Sequence, residues 1–132
     1  MKNEINTEAQ VNNVLVQVRT RYVDEQSEPE SERYVFVYHV TITNQGSQSA
    51  RLMTRHWVIT NGHQEIQEVR GDGVVGEQPL LAPGDSHEYT SGTVLETPVG
   101  SMEGSYQMIG EDGSYFDASI PRFTLSVPHS LH

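Results

Sequence analysis

Gly71-Asp72-Gly73-Val74-Val75-Gly76 spells G-x-G-x-x-G, the spacing that cradles a dinucleotide pyrophosphate. That chemistry needs a strand, a tight glycine turn and then a helix N-terminus, so that backbone N–H groups and the helix dipole converge on the anion. Here the motif runs into Glu77-Gln78-Pro79-Leu80-Leu81-Ala82-Pro83-Gly84, whose prolines and Pro-Gly turn forbid a helix of useful length. The motif is therefore a glycine-rich loop, and three uses are open to it. Successive N–H groups around Gly71, Gly73 and Gly76 could form an anion nest. Asp72 and Glu77 oppose that unless a divalent cation bridges, and Arg70 is the only nearby cation in sequence. The glycines could instead simply allow positive φ between two strands. Or the loop meets another protein: Val74 and Val75 are apolar, lie at the expected loop tip and follow no core period.

Other residues offer less. A hard cation wants several converging oxygens, but Glu28, Glu30 and Glu32 alternate around Pro29 with no calcium-loop pattern. Cobalt favours imidazole. Of His39, His56, His63, His87, His129 and His132, the two nearest in sequence are the terminal pair, and no metal-ligand set emerges. No metal and no cofactor are expected. Arg55-His56-Trp57 places Trp57 in phase with Met53, Arg55 and Ile59, with His56 on the other phase beside Leu52 and Val58. One of the two polar side chains must then be partly buried and hold a partner. No Gly-x-Ser-x-Gly elbow is present, and histidines and carboxylates are scattered, so no catalytic residues are expected.

These residues must be carried by one small domain. The chain has 132 residues and no cysteine, which removes disulfides, thiol catalysis and cysteine metal sites. A chain this long buries roughly two-thirds of its surface on folding, enough for a core without staples. Net charge is −10, from 18 acidic against 8 basic residues, with Lys2 the one lysine. Such a surface repels nucleic acid and anionic lipid, and it suits cations or a basic protein patch. No secretion-signal pattern and no membrane-length apolar run is read, so a cytoplasmic protein is expected.

The patterning is period two throughout, with no helical period. Residues 1–10 read as a flexible tail, 11–126 as the domain and 127–132 as a C-terminal tail. Val14, Val16 and Val18 begin a first strand, and an acidic loop follows at 24–32. Tyr34, Phe36, Tyr38, Val40 and Ile42 alternate along a long second strand that ends at Asn44-Gln45-Gly46. Residues 50–60 form a third, and Asn61-Gly62 predicts a two-residue hairpin into 64–69. Strands over 86–94, 101–109 and 114–120 follow, the last two joined at Asp112-Gly113, with 121–125 as a separate short edge strand. The reading is an all-β, immunoglobulin-like or fibronectin type III-like sandwich of about seven to eight antiparallel strands, with Trp57 in its core. An exposed edge at either end of a sheet could support a dimer, and the sequence selects neither.

Fixed-spacing blocks then carry a resemblance. They are Glu25-Gln26-Ser27, Arg33-Tyr34-Val35-Phe36, Arg55-His56-Trp57, the stretch 71–79 and Pro83-Gly84-Asp85-Ser86. Tyr89-Thr90-Ser91-Gly92, the stretch 98–106, Pro121, Phe123 and Leu131-His132 complete the set. Over roughly residues 11–132 the chain resembles the bacterial ApaG family, also found as a domain in some eukaryotic F-box proteins and in a polymerase-delta-interacting protein. The resemblance implies a fibronectin-like sandwich, a bacterial cytoplasmic protein, a loose association with cobalt resistance and magnesium efflux, and protein interaction for the eukaryotic versions. It implies no catalytic residues. The expected function is a non-catalytic interaction module for an unidentified protein partner, acting through Arg70, Gly71, Asp72, Gly73, Val74, Val75, Gly76 and Glu77. The alternative is a sensor binding nucleotide or pyrophosphate through the same glycines, with or without Mg²⁺ or Co²⁺.

Overall fold

Strands alternating apolar with polar residues have one face that must be buried, and two such sheets bury it against each other. The computed structural model describes residues 11–128, and the chain does this with eight strands. They are β1 (Val14–Tyr22), β2 (Tyr34–Asn44), β3 (Ala50–Asn61), β4 (Ile66–Asp72), β5 (Leu80–Leu81), β6 (Ser86–Leu95), β7 (Val99–Gly110) and β8 (Tyr115–Ser126). One sheet has the order β1-β2-β6; the other has β4-β3-β7-β8, with β5 also pairing β3. Every pairing is antiparallel. The expected all-β sandwich is thus what forms. The expected tail 1–10 lies outside the described residues, as do His129 and His132. Val127, assigned to the C-terminal tail, instead donates its N–H to the Pro98 carbonyl at 3.0 Å and packs against the core.

The core is aromatic at its centre. Trp57, 3% exposed, meets Tyr38 at 5.3 Å, Phe123 at 5.9 Å and Tyr106 at 6.4 Å between ring centroids, each edge-on. These rings come from β3, β2, β8 and β7, so one residue ties both sheets. Edge-to-face pairs add about 0.5–1.5 kcal/mol each beyond area burial. The Tyr89 and Tyr106 hydroxyls, on β6 and β7, hydrogen-bond to each other across the core.

Three local expectations are corrected. Met53 is an extra residue in β3: the pairing to β7 shifts between Leu52 and Thr54. The bulge reverses the phase, so Leu52 and Trp57 are both buried although one is even and one odd. Asn61-Gly62 is not a two-residue turn. The Asn61 side chain accepts the His63 and Glu65 N–H groups at 2.8 and 3.0 Å, and Gln64 takes the positive φ of 66°. This stretches the connection into a type I turn with a bulge. Residues 121–125 are not a separate strand but the second half of β8, past a register shift opposite Met102 and Gly104. Proline lacks an N–H to donate, and a bulge on an outer strand is where a ladder tolerates it.

Candidate functional site

β4 carries the chain straight into the glycine loop, and the loop is shaped by its neighbour β3. Arg55 extends its guanidinium under the loop: Nη1 donates to the Asp72 and Gly73 carbonyls, each at 2.9 Å. Gly71 lies against that guanidinium, and a Cβ there would fall 2.7 Å from Nη2. The Gly73 N–H donates to the carbonyl of the bulged Met53 at 2.8 Å, and the Gln78 side-chain amide donates to the same carbonyl at 2.9 Å. The bulge and the loop are therefore one unit. Gly73 has φ +61°, and a Cβ would meet the Glu77 carbonyl oxygen at 2.3 Å, so only glycine fits.

Beyond Gly73 the chain reverses in four residues. Val74 donates to Glu77 at 2.8 Å and Glu77 returns the bond at 3.0 Å, with Val75 at φ 48° and Gly76 at φ 79° between them. Two positive φ values make this a type I′ turn. The two valines part company here. Val74 is 1% exposed and belongs to the core, which removes it from the expected contact patch; Val75 is 65% exposed. A β-branched residue in the left-handed region is strained, and such strain persists where the surroundings over-determine it.

Three of the loop's N–H groups are already engaged within the chain. Its Gly73, Val74 and Glu77 N–H groups are bonded to carbonyls, and its Asp72 and Gly73 carbonyls point at Arg55. The cradled cation is the protein's own. This settles which polar member of Arg55-His56-Trp57 needs an inward partner. His56, on the outer face, bonds Glu68 at 2.7 Å. Arg70, Asp72 and Glu77 are exposed around the loop.

Next to the loop the two sheets stand apart, with β4 on one side and β6 on the other. A groove of about 420 Å³ opens between them, floored by Tyr38, Trp57, Ile59 and Met102 and walled by Gln67, Val69 and residues 91–94. A smaller recess of about 250 Å³ continues it under Val75, lined by Arg55, Val74 and Tyr89. Val75 and Val94 stand exposed along it at 65% and 46%, and Ile66, 66% exposed, lines a neighbouring recess with Val94. Sequence reasoning missed this groove, because its residues come from five strands and become neighbours only in the sandwich.

One arrangement has catalytic residue types. His39 bonds Thr90 Oγ1 and Glu88 Oε1, each at 2.8 Å, in the order hydroxyl–imidazole–carboxylate. It lies on the open outer face of the β1-β2-β6 sheet, away from the groove. A flat sheet face supplies neither a substrate cleft nor an oxyanion-binding pair of donors. Burial raises the Tyr89 and Tyr106 hydroxyls well above the ordinary phenol range, so both remain protonated structural groups. Among the described residues no three His, Asp or Glu side chains converge on a metal position, and no helix is long and apolar enough to cross a membrane.

Known proteins match this architecture over most of its length. Residues 24–110 fit the family model described as the ApaG domain. Protein ApaG of Pseudomonas paraeruginosa is 63% identical over 126 residues, covering 96% of this chain and 98% of the relative. Protein ApaG of Thiobacillus denitrificans is 58% identical over 119 residues, covering 90% and 94%. The crystal structure of the putative ApaA protein from Bordetella pertussis superposes with a TM-score of 0.87 at 52% identity, over 89% of this chain and 96% of that one. Fold, loop and sequence agree, and the chain belongs to the ApaG family.

Proposed function

We propose that this chain is a non-catalytic interaction module that takes a protein partner on the loop 70–77 and the groove beside it. Val75 carries the reading: a strained, β-branched, apolar side chain held out at the tip of a tight turn. It costs stability twice, in backbone strain and in exposed apolar surface, with no packing in return. Such costs are retained at contact sites. The partner presents apolar side chains on a basic surface, because the net charge of −10 attracts cations and repels anions. In a bacterial cytoplasm, as the family resemblance implies, the module acts indirectly in divalent-cation homeostasis through that partner.

The test is Val75→Asn. Asparagine suits a type I′ turn, so the variant is expected to gain about 1 kcal/mol of stability. It is also expected to lose the proteins that the wild-type chain retains from lysate. A variant that keeps those proteins overturns the reading. An amide NMR titration with pyrophosphate, alone and with Mg²⁺, runs beside it. Saturable shifts confined to 71–77 would replace a protein partner with a phosphate ligand.

A further inference from the structure

The β4-β3-β7-β8 run has two outer strands, and only one of them is protected. β8 carries Pro121 and a bulge and packs beside β1. β4 has no proline, no lysine, no bulge and no fully buried residue. An unprotected edge is a template for another strand.

Register shows which of its backbone groups are free. Asn61 N–H donates to the Glu65 carbonyl at 3.0 Å, and Gly73 N–H to the Met53 carbonyl at 2.8 Å. Both pairs continue the register that sets Trp57 opposite Val69. Antiparallel ladders alternate bonded and non-bonded pairs. Counted from either end, Gln67, Val69 and Gly71 bond to β3. Ile66, Glu68 and Arg70 therefore turn their N–H and C=O groups outward, and Asp72 its N–H alone, because its carbonyl accepts from Arg55.

We propose that β4 pairs antiparallel with β4 of a second copy of this chain, about a two-fold axis at Val69. In that register Glu68 of each copy faces Arg70 of the other, and Ile66 faces Asp72. Centring the axis on Glu68 sets Glu68 against itself. Centring it on Arg70 sets Arg70 against itself and Glu68 against Asp72. Directly opposed like charges destabilise and unlike charges stabilise, so charge selects one register of the three. Glu68 and Arg70 are 56% and 71% exposed and stand 3.8 Å apart within one chain, and Glu68 also bonds His56 at 2.7 Å. The product is one continuous sheet that runs out through β4 of one copy and back through β4 of the next. This inference shares Arg70 with the proposed partner surface but does not rest on that reading, which Val75 carries.

Sedimentation equilibrium of the full chain, diluted from millimolar to micromolar, tests it. Wild type is expected to move toward twice the monomer mass as concentration rises, less so in high salt. Glu68→Arg and Arg70→Glu are each expected to weaken association by about tenfold or more. An equimolar mixture of the two restores it, because each variant then meets the opposite charge on the other. The double variant Glu68→Arg/Arg70→Glu restores it alone, which also shows that the substitutions leave the fold intact. A wild type that stays monomeric at millimolar concentration overturns the proposal. So do single variants that associate as well as wild type, or a mixture and double variant that both stay monomeric.

Discussion

The two long sides of this sandwich are finished in opposite ways. On one, β1 lies beside β8, and β8 sends Ile120 and Leu125 into the core at 2% and 0% exposure behind its proline and bulge. On the other, β4 and β6 stand apart around a groove, and the strained Val75 turn leans over it. A core of this size needs one sealed flank, not two. The unsealed flank is where exposed apolar side chains, free backbone groups and strain collect. Stability and recognition are thus divided between sides of one small domain, rather than between domains.

Substitutions can break that division, and the largest effect should come from its boundary. Val74→Asp places a carboxylate in the core beside Arg55 and Tyr89, and is expected to cost about 4 kcal/mol or more in a urea melt. A wild-type midpoint would show that the open flank carries no core of its own. Gly73→Val should cost about 3 kcal/mol, since strain at φ +61° adds to a clash with the Glu77 carbonyl. Next is the tyrosine pair. Tyr106→Phe leaves the Tyr89 hydroxyl without its partner and is expected to lose about 1–3 kcal/mol, whereas Tyr89→Phe/Tyr106→Phe loses less than the two single changes together.

The same pair sets an alkaline limit. Burial raises both folded hydroxyls above their ordinary values, and Tyr89 raises the cost of ionising Tyr106 further. The stability they contribute is therefore whole below the ordinary value of about 10 and is lost as pH rises above it. Melting temperature should hold flat to about pH 9 and fall beyond 10. The double phenylalanine variant should fall less; an equal fall would remove the pair as the cause. The smallest effect is dynamic. The outward amides of Glu68 and Arg70 should exchange with solvent faster than those of Gln67, Val69 and Gly71, which bond to β3. Comparable protection would mean that the β4 edge is already covered, as a second copy would cover it.

What the sequence made legible follows from periodicity. β2 alternates without interruption from Tyr34 to Ile42, and its ends, its inward residues and the core position of Trp57 all read directly. Interruptions of the period did not read. Nothing in Leu52-Met53-Thr54 marks an inserted residue, so the inward set of β3 came out half reversed. Asn61-Gly62 has the letters of a two-residue turn, yet the Asn61 side chain caps a longer one. Val74 and Val75 are chemically identical, and only the turn between Val74 and Glu77 decides that one is core and the other surface. The glycine spacing was legible as a loop; that two of its carbonyls hold a guanidinium required knowing where Arg55 lies.

That last contact has an evolutionary consequence. The first glycine of the motif is small because an arginine side chain occupies the space a methyl would need. Positions 55 and 71 are therefore coupled through space. While arginine stays at 55, a side chain at 71 requires its guanidinium to shift from where it bonds two loop carbonyls. Where a lineage trades that arginine for a shorter side chain, the demand for glycine at 71 lapses, and the fingerprint should decay from its first letter while the glycine at 73 persists.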